Sequence, residues 1–291
     1  MELNHLEVMG APVAAASVVM LRDAAYGMEV LLLKRHAASG VLGGAHVFPG
    51  GKLDPSDVEI DMAAHLDQDE EALHTALREP SLSPRKAAAL HVAALREAFE
   101  ESGLLLAHGA AGHLAELAAM RVTPGLTFNQ LLAKLSLRLD TRNLVPWSRW
   151  ITPRVPSVSS RRFDTRFFAA LVSGEACVSH DNHEAVESSW LRPRVALELY
   201  WEGRMMLAPP QIMSLAHLAR YGSGAEVLDA ARRAGPALIE PHTCEIEGSR
   251  VVCYPGDERH SLRVRALPGP SRLIYRNQRF EPFGGFEELF G

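Results

Sequence analysis

The segment from Arg85 to Ser102 constrains this chain more than any other. It should form a helix, and as a helix it gathers three carboxylates. It is rich in alanine, Pro84 stands before it, and Gly103 supplies a stop. Glu97, Glu100 and Glu101 fall at i, i+3 and i+4, so they share one face. Val92, Leu95, Phe99 and Ser102 fall mainly on the other side and can bury it. Like charges on one helical face repel by a few tenths of a kcal/mol per pair. A hard divalent cation such as Mg²⁺ or Mn²⁺, which prefers oxygen ligands and accepts phosphate oxygens, would offset that cost. Most E-x-x-E-E strings are solvated acidic stripes, so the surrounding residues decide. Arg96 precedes Glu100 by four positions and can hold its rotamer.

Upstream lies Phe48-Pro49-Gly50-Gly51-Lys52-Leu53-Asp54-Pro55-Ser56-Asp57, whose paired glycines allow a sharp turn and a close backbone approach. Joined to Arg96-Glu97-Ala98-Phe99-Glu100-Glu101-Ser102-Gly103-Leu104, this segment resembles the Nudix box, G-x5-E-x7-R-E-U-x-E-E-x-G-U, with U aliphatic. Seven residues usually separate the two halves; here residues 58–95 do, a stretch of 38. The resemblance implies a metal-dependent hydrolase of diphosphates. It implies Glu97, Glu100 and Glu101 as metal ligands, joined by the carbonyl of Gly50, with Arg96 orienting them. Two positions depart from the pattern. Asp57 stands where the family usually has Glu, and Asp54 replaces the Glu of the common G-G-x-x-E form. Asp57 is therefore a weak ligand candidate.

The split box is similar to that of the coenzyme A diphosphatase branch. Trp150-Ile151-Thr152-Pro153 with Arg161-Arg162-Phe163-Asp164-Thr165-Arg166-Phe167-Phe168 resembles that branch's W-x-T-P and R-R-F-D-T-x-F-F region. Pro209-Pro210-Gln211 and Pro255-Gly256-Asp257 also match, so the likeness runs over roughly residues 12–258. The resemblance implies hydrolysis of coenzyme A or acyl-CoA to 3′,5′-ADP and (acyl-)4′-phosphopantetheine. ADP-ribose, NADH or a dinucleoside polyphosphate are the enzymatic alternatives. A nucleotide-binding module that has lost turnover is the alternative from another class. Family members are often dimers, which makes a homodimer an option, although no interface is legible.

The arginines make chemical sense unaided. Between Pro146 and Arg166 lie Arg149, Arg154, Arg161, Arg162 and Arg166 against one acid, Asp164. Guanidinium groups bind phosphate in bidentate fashion, so Arg161, Arg162 and Arg166 are candidate substrate-binding residues. The competing expectation is that these arginines pack against the protein's own carboxylates. Glu184 and Glu187 lie where some family members place a further ligand or base, so both join the catalytic candidates. His180 and His183 lack a partner pair at zinc-like spacing and read as surface histidines.

The rest of the chain fits an α/β fold. Strands are expected at Val13–Met20, Met28–Lys34, 145–152, 163–172 and 188–191, and helices at 114–120, 128–139, 195–201, 211–221 and 225–234. A hairpin over 243–254 and a loop-rich tail close the chain. The fold class is a Nudix-type α/β/α sandwich with a mixed sheet, over residues 10–200, followed by a mainly helical extension over 201–291 packed on it. The helices from Pro209 are expected to cover the substrate pocket. The insertion, 55–85, carries eight acidic and two basic residues and one helical patch around 63–77. It reads as a solvated flap or helical excursion, with a lid as the functional alternative.

At 291 residues and a net charge of −5, sequence-blind nucleic-acid binding is disfavoured. No apolar run is long enough to span a membrane, and the acidic start does not resemble a signal peptide, so the cytoplasm is expected. Cys177, Cys244 and Cys253 form no disulfide framework. A two-residue turn at Gly248-Ser249 would set Cys244 directly opposite Cys253.

Overall fold

The structure, a computed structural model, describes residues 3–39, 42–157, 161–173, 178 and 185–291. In chain order the first strands are β1 (Val13–Ala24), β2 (Gly27–Arg35), β3 (His46–Val47) and β4 (Gly50–Lys52). Helices α1 (Pro55–Glu59), α2 (Met62–His65), α3 (Glu70–Leu77) and α4 (Pro84–Ser102) follow. Next come β5 (Ala107–His108), α5 (Leu114–Arg121), α6 (Phe128–Leu135) and β6 (Arg138–Leu139). The second half holds β7 (Val145–Ile151), β8 (Phe163–Leu171), β9 (Ala185–Leu191), α7 (Pro193–Trp201), α8 (Pro209–Leu218) and α9 (Gly224–Ala234). Five short strands end the chain: β10 (Ala237–Ile239), β11 (His242–Ile246), β12 (Ser249–Cys253), β13 (Arg272–Arg276) and β14 (Arg279–Glu281).

The main sheet is mixed and runs β10-β7-β8-β1-β2-β3, with β4 also paired to β1 and β9 to β2. β1 is parallel to β8 and antiparallel to β2 and β4. Side chains alternate across a strand, and here the alternation sorts two cores. Val18, Met20, Leu31 and Leu33 face α4 and the inserted helices. Val19, Leu21, Val30 and Leu32 face α7, α8 and α9. β1 and β2 are buried on both faces, which explains their unbroken apolar runs. The result is the three-layer α/β/α sandwich.

The inserted segment is a helical excursion built into the core. Ile60, Met62, Leu66, Leu73 and Leu77 are each buried against α4. Among the described residues none from 55–85 lines the cleft described below. In the tail α8 and α9 pack on the main sheet, but β10 joins that sheet beside β7 and β11–β14 form a four-stranded antiparallel sheet of their own, where a mainly helical extension was expected. The segment read as loop-rich contains β13 and β14.

The closing hairpin turns at Glu247 and Gly248, both left-handed, as two-residue turns require. This shifts the register by two from a turn at Gly248-Ser249. Cys244 therefore faces Val251, and Cys253 faces His242. The two sulfurs lie 3.9 Å apart on the diagonal rather than directly opposite. Cys177 lies outside the described residues. Among the described residues no helix is long and apolar enough to cross a membrane.

Candidate active site

α4 carries the site because both its ends are fixed. Ser83 caps the first turn through Lys86 N–H, Pro84 occupies the first helical position, and Gly103 ends the helix in a left-handed conformation with its N–H bonded to Phe99 O at 2.8 Å. Val92, Leu95, Phe99 and Ser102 are all buried, as the helical pattern required. That anchoring leaves Glu97, Glu100 and Glu101 to meet the turn between β3 and β4.

Arg96 is the hub of this meeting. Its Nε and one terminal nitrogen donate to Asp57 at 2.7 and 3.0 Å, a bidentate pair. Its other terminal nitrogen donates to Glu97 at 2.8 Å and to Glu100 at 2.9 Å. A further bond reaches Lys52 O at 3.1 Å. Burial alone would lower the guanidinium pKa, but Asp57, Glu97 and Glu100 outweigh it and hold the charge firmly in place. Asp57, 1% exposed, also accepts from Asp54 N–H at 2.8 Å and closes the capping box of α1. The structure thus gives Asp57 a positioning place behind Arg96. The shortened side chain fits that place, with the insertion leaving immediately after it.

The glycines act through close approach. A Cβ on Gly51 would lie 2.4 Å from the Glu97 carboxylate, and one on Gly50 would lie 2.5 Å from Ala16 O. Gly50 N–H donates to Glu101 at 2.9 Å, so the buried Glu101 is bonded to the very turn that passes over the helix. Arg35 approaches the same carboxylate at 4.0 Å, and its buried Nε has no hydrogen-bond partner.

Beside this cluster lies a cleft of about 650 Å³ lined by Arg35, Phe48, Gly50, Gly51, Lys52, Asp54, Arg96, Glu97, Arg161, Phe163 and Gln211 among others. Carboxylates at one wall and cations along the rim suit a metal-bound polyanion. The donor set is oxygen only, which fits Mg²⁺ or Mn²⁺ better than a soft metal. A separate group, Asp67, His108 and Asp140, also brings three potential donors together. Asp67 is bonded there to the Thr141 backbone and side chain and to His108, which accounts for the grouping structurally.

The arginine expectations divide. Arg161 lines the cleft. Arg166 is buried and paired with Glu79 at 2.9 and 2.6 Å and with Asp164 at 2.9 Å. Arg149 joins the same group, to Glu79 at 2.8 Å and bidentate to Asp164. Arg162 is spent on the backbone oxygens of Thr152 and Gly10. For Arg162 and Arg166 these bonds match the competing expectation, in which arginines of this stretch pack against the protein's own groups. Glu187 sits on β9 in an ion pair of 3.5 Å with Lys34 and is not among the residues lining the cleft. Glu184, His180 and His183 lie outside the described residues.

Sequence reasoning missed Arg35 and Lys52. Lys52 directly follows the glycine pair, so its place was available in the motif. Arg35 ends β2, and nothing in its neighbours marked it.

Comparison with known proteins agrees with this geometry. The sequence profile of the NUDT19 Nudix domain matches residues 7–218. The chain is 32% identical over 230 residues to the acyl-coenzyme A diphosphatase NUDT19 of Xenopus laevis, covering 66% of this chain and 60% of that protein. The human protein of the same name is 31% identical over 235 residues, covering 68% of this chain and 62% of that protein. The chain thus spans about three-fifths of the length of these curated relatives. Among solved structures, a NUDIX hydrolase from Alicyclobacillus acidocaldarius superposes with a TM-score of 0.60 at 27% identity. It covers 78% of this chain and 98% of that one.

Proposed function

This chain belongs to the NUDT19 Nudix domain family, and on that premise we propose that it is a divalent-metal-dependent diphosphatase acting on a nucleoside diphosphate-linked substrate. Coenzyme A or an acyl-CoA is the first choice, as the names of its relatives suggest. Water would add to one phosphorus of the diphosphate and the bridging oxygen would leave with the other, giving 3′,5′-ADP and (acyl-)4′-phosphopantetheine.

The observation that carries this reading is the gathering of Glu97 and Glu100 on buried Arg96, with Glu101 bonded to the Gly50 turn, beside a cation-rimmed cleft. A bound Mg²⁺ or Mn²⁺ would supply Lewis acidity and an acidified water. The Glu97, Glu100 and Glu101 carboxylates, with the Gly50 carbonyl, would hold it. Arg96, itself locked by Asp57, fixes the rotamers of Glu97 and Glu100, so little reorganisation is left for the reaction. Arg35, Lys52 and Arg161 can offset charge on the phosphoryl oxygens. A carboxylate of the cluster would accept the proton from water.

The test is hydrolysis of coenzyme A, acetyl-CoA, ADP-ribose, NADH and a dinucleoside tetraphosphate with Mg²⁺ or Mn²⁺, beside Glu100→Gln. Release of 3′,5′-ADP from the CoA compounds, lost in the variant, is expected. Turnover of ADP-ribose or NADH alone would keep the mechanism and reject the substrate. Metal binding without any turnover would leave a binding module.

A further inference from the structure

A smaller, mostly apolar annex of about 190 Å³ opens beside the cleft. Its walls include Trp150, Ile151, Pro153, Pro156, Pro210 and Pro241. It shares a wall with the cleft, since Leu42, Phe163, Thr165, Phe167 and Gln211 line both. Two of its lining residues carry an unpaired polar atom. Gln211 Oε1 and Ser157 Oγ are buried without a hydrogen-bond partner, and each residue is only 7% exposed. A buried polar atom left unpaired is costly, so both side chains can offer hydrogen bonds to a ligand that enters the annex.

We propose that this annex receives the uncharged, amide-bearing arm of the substrate, with Ser157 and Gln211 hydrogen-bonding its amides. The assignment rests on the coenzyme A reading above, in which the arm is the pantetheine chain and its acyl group.

Three observations choose the arm over the nucleotide. None of the annex's described lining residues is charged. The adenosine half of coenzyme A carries a 3′-phosphate beside its base, and burying that dianion with no cation would be prohibitive. The cations Arg35, Lys52 and Arg161 all line the cleft instead. Next, α8 points its N-terminus into the annex, a place where backbone N–H groups could receive a phosphate. Its first two residues are Pro209 and Pro210, which have no N–H to give. Finally, the annex is smaller than the roughly 300–1,000 Å³ of a whole-ligand pocket, so it suits one segment of a long molecule. An amide chain alternating with apolar carbons matches isolated polar atoms set in an apolar wall.

Ile151 lines the annex and not the cleft, which makes Ile151→Trp the main probe. Steady-state kinetics on coenzyme A and an acyl-CoA series would be read together with product inhibition by 4′-phosphopantetheine and by 3′,5′-ADP. Uncharged pantetheine would be titrated directly into wild type and variant. Ile151→Trp is expected to raise KM for the CoA substrates and weaken 4′-phosphopantetheine by about tenfold or more, leaving 3′,5′-ADP inhibition within about twofold. Ser157→Ala, which removes one hydroxyl and keeps the backbone, is expected to weaken pantetheine by about three- to tenfold. It serves as the probe if Ile151→Trp does not fold. The opposite pattern, with 3′,5′-ADP weakened and 4′-phosphopantetheine unchanged, would place the nucleotide in the annex and overturn the assignment. So would folded variants that change neither inhibitor. If wild type binds pantetheine in an Ile151-dependent way yet cleaves no CoA compound, the annex stands and the proposed activity falls.

Discussion

Two arginine–carboxylate networks beside the main sheet are charged differently. Between α3 and the sheet, Arg149 and Arg166 meet Glu79 and Asp164, two cations against two anions. Every charge there has an opposite partner within hydrogen-bond reach. For Asp164, burial alone would raise the pKa, yet its bonds to Arg149 and Arg166 overcome that and hold it below the usual carboxylate range. At α4, one arginine serves Asp57, Glu97 and Glu100, while Glu101 takes a backbone N–H and lies 4.0 Å from Arg35. Among the described residues, four carboxylates thus share a hub and a more distant second cation. A balanced network closes on itself and stabilises; a surplus of negative charge at a cleft asks for a cation from outside. The difference separates structural arginines from functional carboxylates more sharply than the presence of arginine does.

The contrast should appear first in stability. Glu79→Ala would leave buried Arg166 and half-buried Arg149 to share Asp164 alone, and breaking one side of a buried pair costs about 3–5 kcal/mol. Denaturant titration should show that loss, while the folded variant keeps its turnover. A cost under about 1 kcal/mol would place the network with ordinary surface pairs and erase the comparison. Glu100→Gln should behave in the opposite way. Its side chain is 46% exposed, so unfolding free energy should stay within about 0.5 kcal/mol of wild type. Turnover should drop about 100-fold or more, beyond what losing an outer-shell partner of a metal typically costs. Unchanged turnover would show that the negative surplus serves no chemistry.

Asp57→Asn probes the point where the two kinds of network meet, since it removes the buried anion behind the hub. Mn²⁺ affinity and turnover should each fall by about 10–100-fold, the usual cost of losing an orienting partner. If only the melting temperature falls, Asp57 caps α1 and does nothing for the metal ligands.

How much of this was legible varied with the range of the interactions. α4 was readable because its determinants are local: Pro84, the alanines, the spacing of Glu97, Glu100 and Glu101, and Gly103. β1 and β2 were readable as apolar runs for the same reason. The fate of the arginines was not. Arg166 and Arg161 sit five residues apart in one basic stretch, yet one is buried against Glu79 and the other lines the cleft. Glu79 is 87 positions from Arg166, and no local pattern pairs them. The hairpin register failed over a single residue, because Glu247 accepts a left-handed conformation that would sooner be given to glycine.

The smallest expected effect tests burial without any partner charge. His91 lies on the buried side of α4, its ring centroid 4.7 Å from that of Phe168 of β8 and tilted to it, with Nδ1 bonded to Ala87 O and Nε2 unpartnered. Burial lowers its pKa to about 4, the bond to Ala87 opposing only in part. The folded protein therefore holds His91 neutral, while the unfolded chain takes up a proton near the ordinary value of about 6.5. The stability it allows is complete above pH 6.5 and drains away as pH falls towards 4. Between pH 7 and 5.5 the loss should be about 1 kcal/mol, and His91→Leu should remove that share of the slope. His217, lowered to about 4 by burial and then by Arg220, would supply a similar remainder. A slope that His91→Leu leaves untouched would mean that proton uptake reaches His91 in the folded state. The α4 interior would then be open to compensating charge, as its carboxylate face is, and the two sides of that helix would no longer differ.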